Sequence, residues 1–431
     1  MRLTQRLLRH ALLLACAVIL LLAPEQAIAA DNSSVGELTA VLYGDMSKAP
    51  DIGDRVDALP KDSADAPTSP AALTEHGDTQ ALRQGITYTN SVASTPAAAA
   101  APETLASCRT RSGGTEYYAV INHYASCYVH YGAGINWLLD GRVVGSFYWR
   151  TTTVGEGLKG SRVVYLTTGM DQFQSVGTTA PTQQVPVIWT SGGYNGSDGS
   201  NAPCGVNETA SHSITEWVAG MTQRSTISTA QTDGYGRDSV ARCALQQWFG
   251  ASGSTHWIPL SGTGVRFDSA SYLGSNGAGI FDRVMPRMSE YSVTSARNGA
   301  VAQHVQLAQT NPNATYPPKS DGSAKSIPGG STSGIPLTRL MSTWDAAATS
   351  QYNKNRSTTS SACAGLTHQT GEECDEYPFA STWEGSGKGD GNFSIKYVDG
   401  TQNGNAGTDL NNWYIQDRIL HNDKFYVDIR P

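Results

Sequence analysis

The stretch Cys374-Asp375-Glu376-Tyr377-Pro378-Phe379-Ala380-Ser381-Thr382-Trp383-Glu384-Gly385 constrains this chain more than any other. Three carboxylates, Asp375, Glu376 and Glu384, fall within ten residues, beside a cysteine, a proline and three aromatics. Carboxylates crowded in this way repel one another unless a cation or a basic partner joins them. The fold must therefore bring such a partner to the segment, or leave it as a solvated acidic turn held by a disulfide. Hard cations such as Mg²⁺ take oxygen ligands and often use one or two carboxylates with water. The segment reads as a metal and general-base site.

The beginning of the chain reads as an export signal, residues 1–29. Arg2, Arg6, Arg9 and His10 form a positive region, Ala11 to Ala23 an apolar run, and Ala27-Ile28-Ala29 a small-residue cleavage site. The apolar run is shorter than the roughly 20 residues of a membrane span, so the expectation is a secreted, extracellular protein with no membrane attachment after cleavage. Six cysteines remain: Cys108, Cys127, Cys204, Cys243, Cys363 and Cys374. An even number in an exported chain reads as disulfides. The simplest connectivity joins sequence neighbours, 108–127, 204–243 and 363–374. No Cys-x-x-Cys or Cys/His cluster has zinc spacing.

Composition enters through charge. The chain is mildly acidic, with a net charge of −7, which argues against a general polycation. Eight Lys/Arg stand against three Asp/Glu from Arg283 to Arg356, and five against eleven from Cys363 to the end. A phosphate-attracting segment thus precedes an acidic one. Arg283, Arg287, Arg297, Arg339, Lys354 and Arg356 are expected to line the approach to Asp375.

The chain divides by texture. Residues 30–105 are rich in Ala, Asp, Pro, Ser and Thr and read as a poorly ordered linker or pro-segment. Residues 106–262 carry short β-rich runs such as Tyr117 to Ile121 and Arg162 to Leu166, separated by turn residues. They predict a sandwich-like or barrel-like antiparallel domain, with Ile214 to Met221 as one more strand. Residues 263–431 are mixed. Helices are predicted over Asn298 to Thr310, Pro336 to Tyr352 and Thr408 to Leu420, and strands over Asn392 to Val398 and Lys424 to Ile429. His304 reads as a structural histidine and His421 as an exposed turn residue. The fold class is α+β.

A phosphodiester hydrolase needs a base to activate water and a cation to stabilise developing charge. Asp375 or Glu376 suits the base, Glu384 the cation, and Asn411 or Asn412 an amide ligand. Several short motifs then fall in order: Cys374 to Ala380, Glu384-Gly385, Gln402-Asn403 before Ala406-Gly407, Leu410 to Tyr414, Arg418 to Leu420, and Asp423-x-Phe425-x-Val427. This pattern resembles the secreted NucA/NucB-type deoxyribonucleases, in the form of actinobacterial members, most clearly over about the last 70 residues. A weaker likeness runs back through Arg266 to Ser269, Ala302-Gln303-His304 and Pro336 to Arg339.

The resemblance implies a compact, metal-dependent ββα-type nuclease domain over residues 263–431, cutting DNA endonucleolytically with Mg²⁺ or Mn²⁺. It implies Asp375 as general base, Glu376 as a second acidic group, and Glu384 as a catalytic group serving the metal or a water. Asn412 is implied as a metal ligand, Gln402 and Asn403 as phosphate contacts, and Arg418 as a phosphate clamp or a partner of Asp417 or Asp423. Two alternatives stand beside this reading. One is a non-enzymatic secreted binding protein with a degenerate nuclease-like scaffold, and the other is a nuclease toxin.

Overall fold

The computed structural model describes residues 38–60, 64–65, 102–193, 204–254, 256–275 and 277–431. The expected signal peptide and most of the 30–105 segment lie outside them. The first described strand, Thr39–Tyr43, pairs with Ala125–Leu139, and Val41 and Tyr43 pack on Leu138 and Val143. This part of the expected linker is therefore integral to the β-rich body, because its short apolar run has a sheet edge to cover.

That body is one antiparallel sheet, of twelve strands among the described residues. Its main path runs through Val187–Gly193, Ala241–Phe249, His256–Asp268, Ala278–Phe281, Arg142–Lys159, Val163–Gly177, Thr222–Ser228 and Gly205–Glu208. It nearly closes on itself, the barrel-like of the two forms the sequence predicts. Long strands allow this: Arg142–Lys159 has 18 residues and Ala125–Leu139 has 15. Register shifts at Tyr131/Ala133 and Tyr148/Arg150 break their ladders, and such bulges bend a strand and increase its twist. The two ends of the path then meet. The Glu208 carboxylate accepts from the Trp189 backbone N–H, Ser191 donates to the Cys204 carbonyl, and Cys204 is bonded to Cys243.

The first helix, α1 (Leu105–Ser112), is tied to the sheet by Cys108–Cys127, with Cα atoms 5.4 Å apart. Ile214–Val218 is a short helix, α2, and not the predicted strand. Ser213 and Glu216 form a reciprocal capping box there, a helix-start signal that outweighs the β-branched character of the run. The sheet continues past residue 262 through His256–Asp268 to Phe281.

The C-terminal part has its own core, with Met288, Val305, Tyr377, Leu410, Trp413 and Phe425 buried together. Helix α3 (Gly299–Thr310) lies where the sequence places it. The segment after Pro336 does not begin a helix. Leu337–Thr338 pairs as a strand with Lys424–Phe425, and helix α4 (Ala346–Cys363) starts only where Asp345 caps the Ala348 N–H at 2.7 Å. Strands Glu372–Tyr377 and Ser394–Asp399 form a hairpin with Asp375 opposite Lys396. Helix α5 (Gly400–Gln416) follows at once, capped by Asp399. It starts eight residues earlier than predicted, because Gly400, Gly404 and Gly407 mask its periodicity. Cys363 at the end of α4 is bonded to Cys374 on the hairpin, so all three simple pairings hold.

Both parts belong to one compact unit, Leu38–Pro431, and buried charges join them. Arg418, just past α5, reaches Asp268 at 2.6 Å, and both side chains are almost wholly buried. Arg266 pairs with Asp423 at 2.8 Å and donates to the Arg418 carbonyl. Arg418 also sits at φ 54°, a left-handed conformation that a side-chain-bearing residue adopts only where surroundings hold it. Removing one member of such a pair strands the other charge without solvent and typically costs about 3–5 kcal/mol. Asp268→Ala should therefore lower the urea-unfolding free energy by about that amount, whereas an unchanged midpoint would mean that this pair does not join the two parts.

Candidate active site

The hairpin places Asp375 facing helix α3. The His304 Nδ1 lies 2.6 Å from Asp375 Oδ2, and its Nε2 lies 2.6 Å from the Ser394 hydroxyl. All three side chains are buried. An ionised carboxylate only accepts, so the ring presents its Nδ1–H to Asp375, and Ser394 donates to Nε2 in the neutral ring. His304 is thus fixed at both nitrogens. Asp375 Oδ1 accepts no hydrogen bond from the protein among the described residues. The sequence reading took His304 as merely structural. The signal that could have found it was the Ala302-Gln303-His304 likeness, since nothing local links α3 to a strand 71 positions away.

Asp375 and Glu376 open on a cleft of about 510 Å³ that Arg339, Arg356, Asn403 and Asn411 also line. Helix α4 supplies Arg356, and its neighbour Asn355 anchors that helix. The fully buried Asn355 amide donates to the carbonyls of Ala380 and Thr382 and accepts from the Gly387 N–H. A Cβ on Gly385 or Gly387 would run into Asn355, so those glycines let the loop after the acidic motif close on α4. Arg356 then stands 3.5 Å from Glu376. Burial pushes the Glu376 carboxyl up to about 7, the charge of Asp375 adds to the rise, and Arg356 opposes it. Arg339 is buried, with its guanidinium 4.3 Å from the centre of the Tyr414 ring and a hydrogen bond to the Ile419 carbonyl.

The other expected site residues are placed differently. Glu384 does not line the cleft; it accepts from the Thr338 N–H at 2.8 Å and so fixes the strand before Arg339. Asn412 is exposed and also lies off the cleft, where its neighbour Asn411 faces in. Gln402 accepts from the Ala300 N–H at 2.7 Å, serving the start of α3, whose own N-cap Asn298 makes no side-chain cap. Asn403 does reach the cleft and donates to Glu373 at 3.2 Å. Arg418 cannot clamp a phosphate, because Asp268 and the carbonyls of Leu273 and Ser275 hold it in the interior.

The basic segment does not form one surface either. Arg287 pairs with Asp428 and Arg297 with Asp409, and of the six expected cations only Arg339 and Arg356 line the cleft. His421 is stacked on Trp344, with ring centres 4.6 Å apart, and accepts from the Met341 N–H; it is not a free turn residue. Trp344 is gripped in turn by Arg237 of the β-rich body, which donates to the carbonyls of Thr343 and Trp344. Tyr272, also from that body, completes the cleft wall.

The cleft offers hard oxygen donors, among them two carboxylates and the amides of Asn403 and Asn411. No group of three His, Cys, Asp or Glu gathers as a metal cage among the described residues. The set therefore fits a cation such as Mg²⁺ that keeps much of its water, and not a tightly caged one. No helix among the described residues is long and apolar enough to cross a membrane.

The raised Glu376 carboxyl has a consequence for folding. Its proton is held more tightly in the native state than in the unfolded chain, so it contributes stability in full below its ordinary 4.5 and loses it as pH rises toward about 7. The loss is about 3 kcal/mol. With chelator present, Glu376→Gln should flatten the stability curve over that window relative to the unmodified chain in denaturant titrations. Parallel curves for the two proteins would show that Glu376 titrates normally.

Among known proteins, the family model for Deoxyribonuclease NucA/NucB matches residues 333–428. No curated protein and no solved structure matches the chain. The matched residues contain α4, the hairpin and α5, while His304 and Tyr272 lie outside them. Residues 333–428 of this chain thus match the NucA/NucB deoxyribonuclease domain.

Proposed function

We propose that this protein is an exported, metal-dependent endonuclease that hydrolyses DNA phosphodiester bonds with water activated by Asp375. The observation that carries the reading is the Asp375 carboxylate, held on one oxygen by buried His304 and lining the cleft. A base fixed in this way keeps its orientation while a water approaches. Asp375 takes a proton from that water, the water oxygen forms a bond to phosphorus, and the bond from phosphorus to the leaving oxygen breaks.

His304 touches neither water nor substrate; it positions Asp375 and stabilises the orientation of its carboxylate. Arg356, more than half exposed at the cleft mouth, is suited to meet a non-bridging phosphate oxygen. Arg339 contributes a fixed positive charge from the cleft wall. Glu376 and Asn411 would hold a divalent cation, with Asn411 in the part expected of Asn412. When bound, the cation would supply charge stabilisation for the phosphate oxygens as the water attacks. The disulfides and the export-signal pattern support secretion.

Plasmid nicking tests the reading directly. Chelator should stop it and added Mg²⁺ or Mn²⁺ should restore it. Asp375→Ala should slow it by on the order of 10²–10⁴ without unfolding the protein. Undiminished nicking by Asp375→Ala would remove Asp375 from the reaction, and full activity in demetallated protein would reject the cation.

A further inference from the structure

A second cleft, of about 360 Å³, lies where the β-rich body meets the nuclease domain. Its lining includes four cationic side chains, Arg242, Arg266, Arg283 and Lys424, against two carboxylates, Asp282 and Asp423. Arg242 comes from the strand Ala241–Phe249, Arg266 from His256–Asp268 and Lys424 from Lys424–Val427. The cluster is therefore assembled by the junction and is not a run of charge in the sequence. Arg242 is set by Asp282 and the Tyr235 hydroxyl, and Arg266 by Asp423 and the Arg418 carbonyl. Arg283 lies 4.0 Å from Asp282, and the lining as a whole sets four cationic side chains against two carboxylates.

One detail points to a ligand. The Nε of Arg266 is buried and donates no hydrogen bond, although Arg266 is only 3% exposed; a buried donor left unused is costly unless something accepts from it. Room for the cations is also reserved in the backbone. A Cβ on Gly264 would come within 2.9 Å of both the Arg283 Cγ and Asp282 Oδ1.

The second cleft adjoins the first. The Arg339 N–H donates to the Asp423 carbonyl at 2.9 Å, and the Asn422 N–H donates to the Arg339 carbonyl at 3.0 Å. Arg339 lines the first cleft, and Asn422, Asp423 and Lys424 line the second. One ladder thus separates the Arg339 wall of the first cleft from a cationic recess.

We infer that this second cleft binds a phosphate oxyanion, and that in the working protein the oxyanion is a backbone phosphate of the DNA whose scissile bond lies at Asp375. The assignment of the source to DNA rests on the proposed nuclease function; the oxyanion chemistry does not. The segment from Cys363 to the end carries five Lys/Arg against eleven Asp/Glu, and a recess of cations beside the first cleft offsets the repulsion of a polyanion by that excess. Because three of its four cations come from outside residues 333–428, the β-rich body supplies substrate affinity to the nuclease domain.

The test uses the full chain carrying Asp375→Ala, so that DNA is bound and not cut, with Lys424→Glu and, separately, Arg242→Gln added. Oligonucleotide affinity is measured against salt. Each lost phosphate contact should reduce the slope of log K on log salt by about one unit, with Lys424→Arg restoring it. In the chain with Asp375 intact, hydrolysis of bis(p-nitrophenyl) phosphate, too small to reach both clefts, should be unchanged by Lys424→Glu. A calorimetric titration with inorganic phosphate forms the second arm. Slopes unchanged while phosphate binding is lost in both variants would keep the oxyanion site and overturn its assignment to DNA. No change in either arm would overturn the site altogether. Failure of the parent chain to nick plasmid DNA would reject the nuclease function, and the phosphate arm would still decide this site.

Discussion

The hydrogen bond between His304 and Asp375 is the contact on which the candidate site depends. A carboxylate that is nearly buried is stable as an anion only if a donor meets it. His304 is that donor, and Ser394 on the partner strand of the hairpin fixes its ring from the far side. The arrangement uses three elements, α3 and both hairpin strands, so the orientation of Asp375 reports the packing of the whole C-terminal core. Val301, Val305 and Ala308 bury the other positions of α3 in that core. Gln402 serves the first turn of α3 from α5. Residues expected at the substrate thus act one step behind it.

Buried charge joins the C-terminal part to the β-rich body in the same manner. Asp268 and Arg418 neutralise each other at the end of α5, while Arg266 and Asp423 do so at the start of the last strand. Neither pair would be tolerable alone in the interior, since each ion would lack both solvent and partner. The lip of the first cleft is bound to the body by Arg237 and closed by Tyr272. The β-rich body is therefore part of the cleft's construction.

What could be read from the sequence was local. The acidic motif, the strand after it, the Cys363–Cys374 link and helix α3 depend on neighbours in the chain, and they stand where the residues place them. The His304–Asp375 contact spans 71 positions and the Asp268–Arg418 pair spans 150, and no periodicity encodes such meetings. Glu384 and Gln402 were misread for a different reason. A carboxylate or amide that satisfies a backbone N–H looks the same in sequence as one that meets a metal or a phosphate. The basic run from Arg283 to Arg356 was misleading because net charge in a segment does not say which face each side chain takes. Arg287 and Arg297 are spent on Asp428 and Asp409.

The central claim is that His304 acts only through Asp375. A double-mutant cycle on plasmid nicking tests this most directly, using His304→Gln, Asp375→Ala and the double variant, each verified as folded by circular dichroism. Residues that act as one unit give non-additive losses. The account predicts that His304→Gln alone slows nicking, and that adding it to Asp375→Ala slows nicking no further. Losses that multiply in the double variant would contradict it, because His304 would then serve the reaction by a route that does not pass through Asp375.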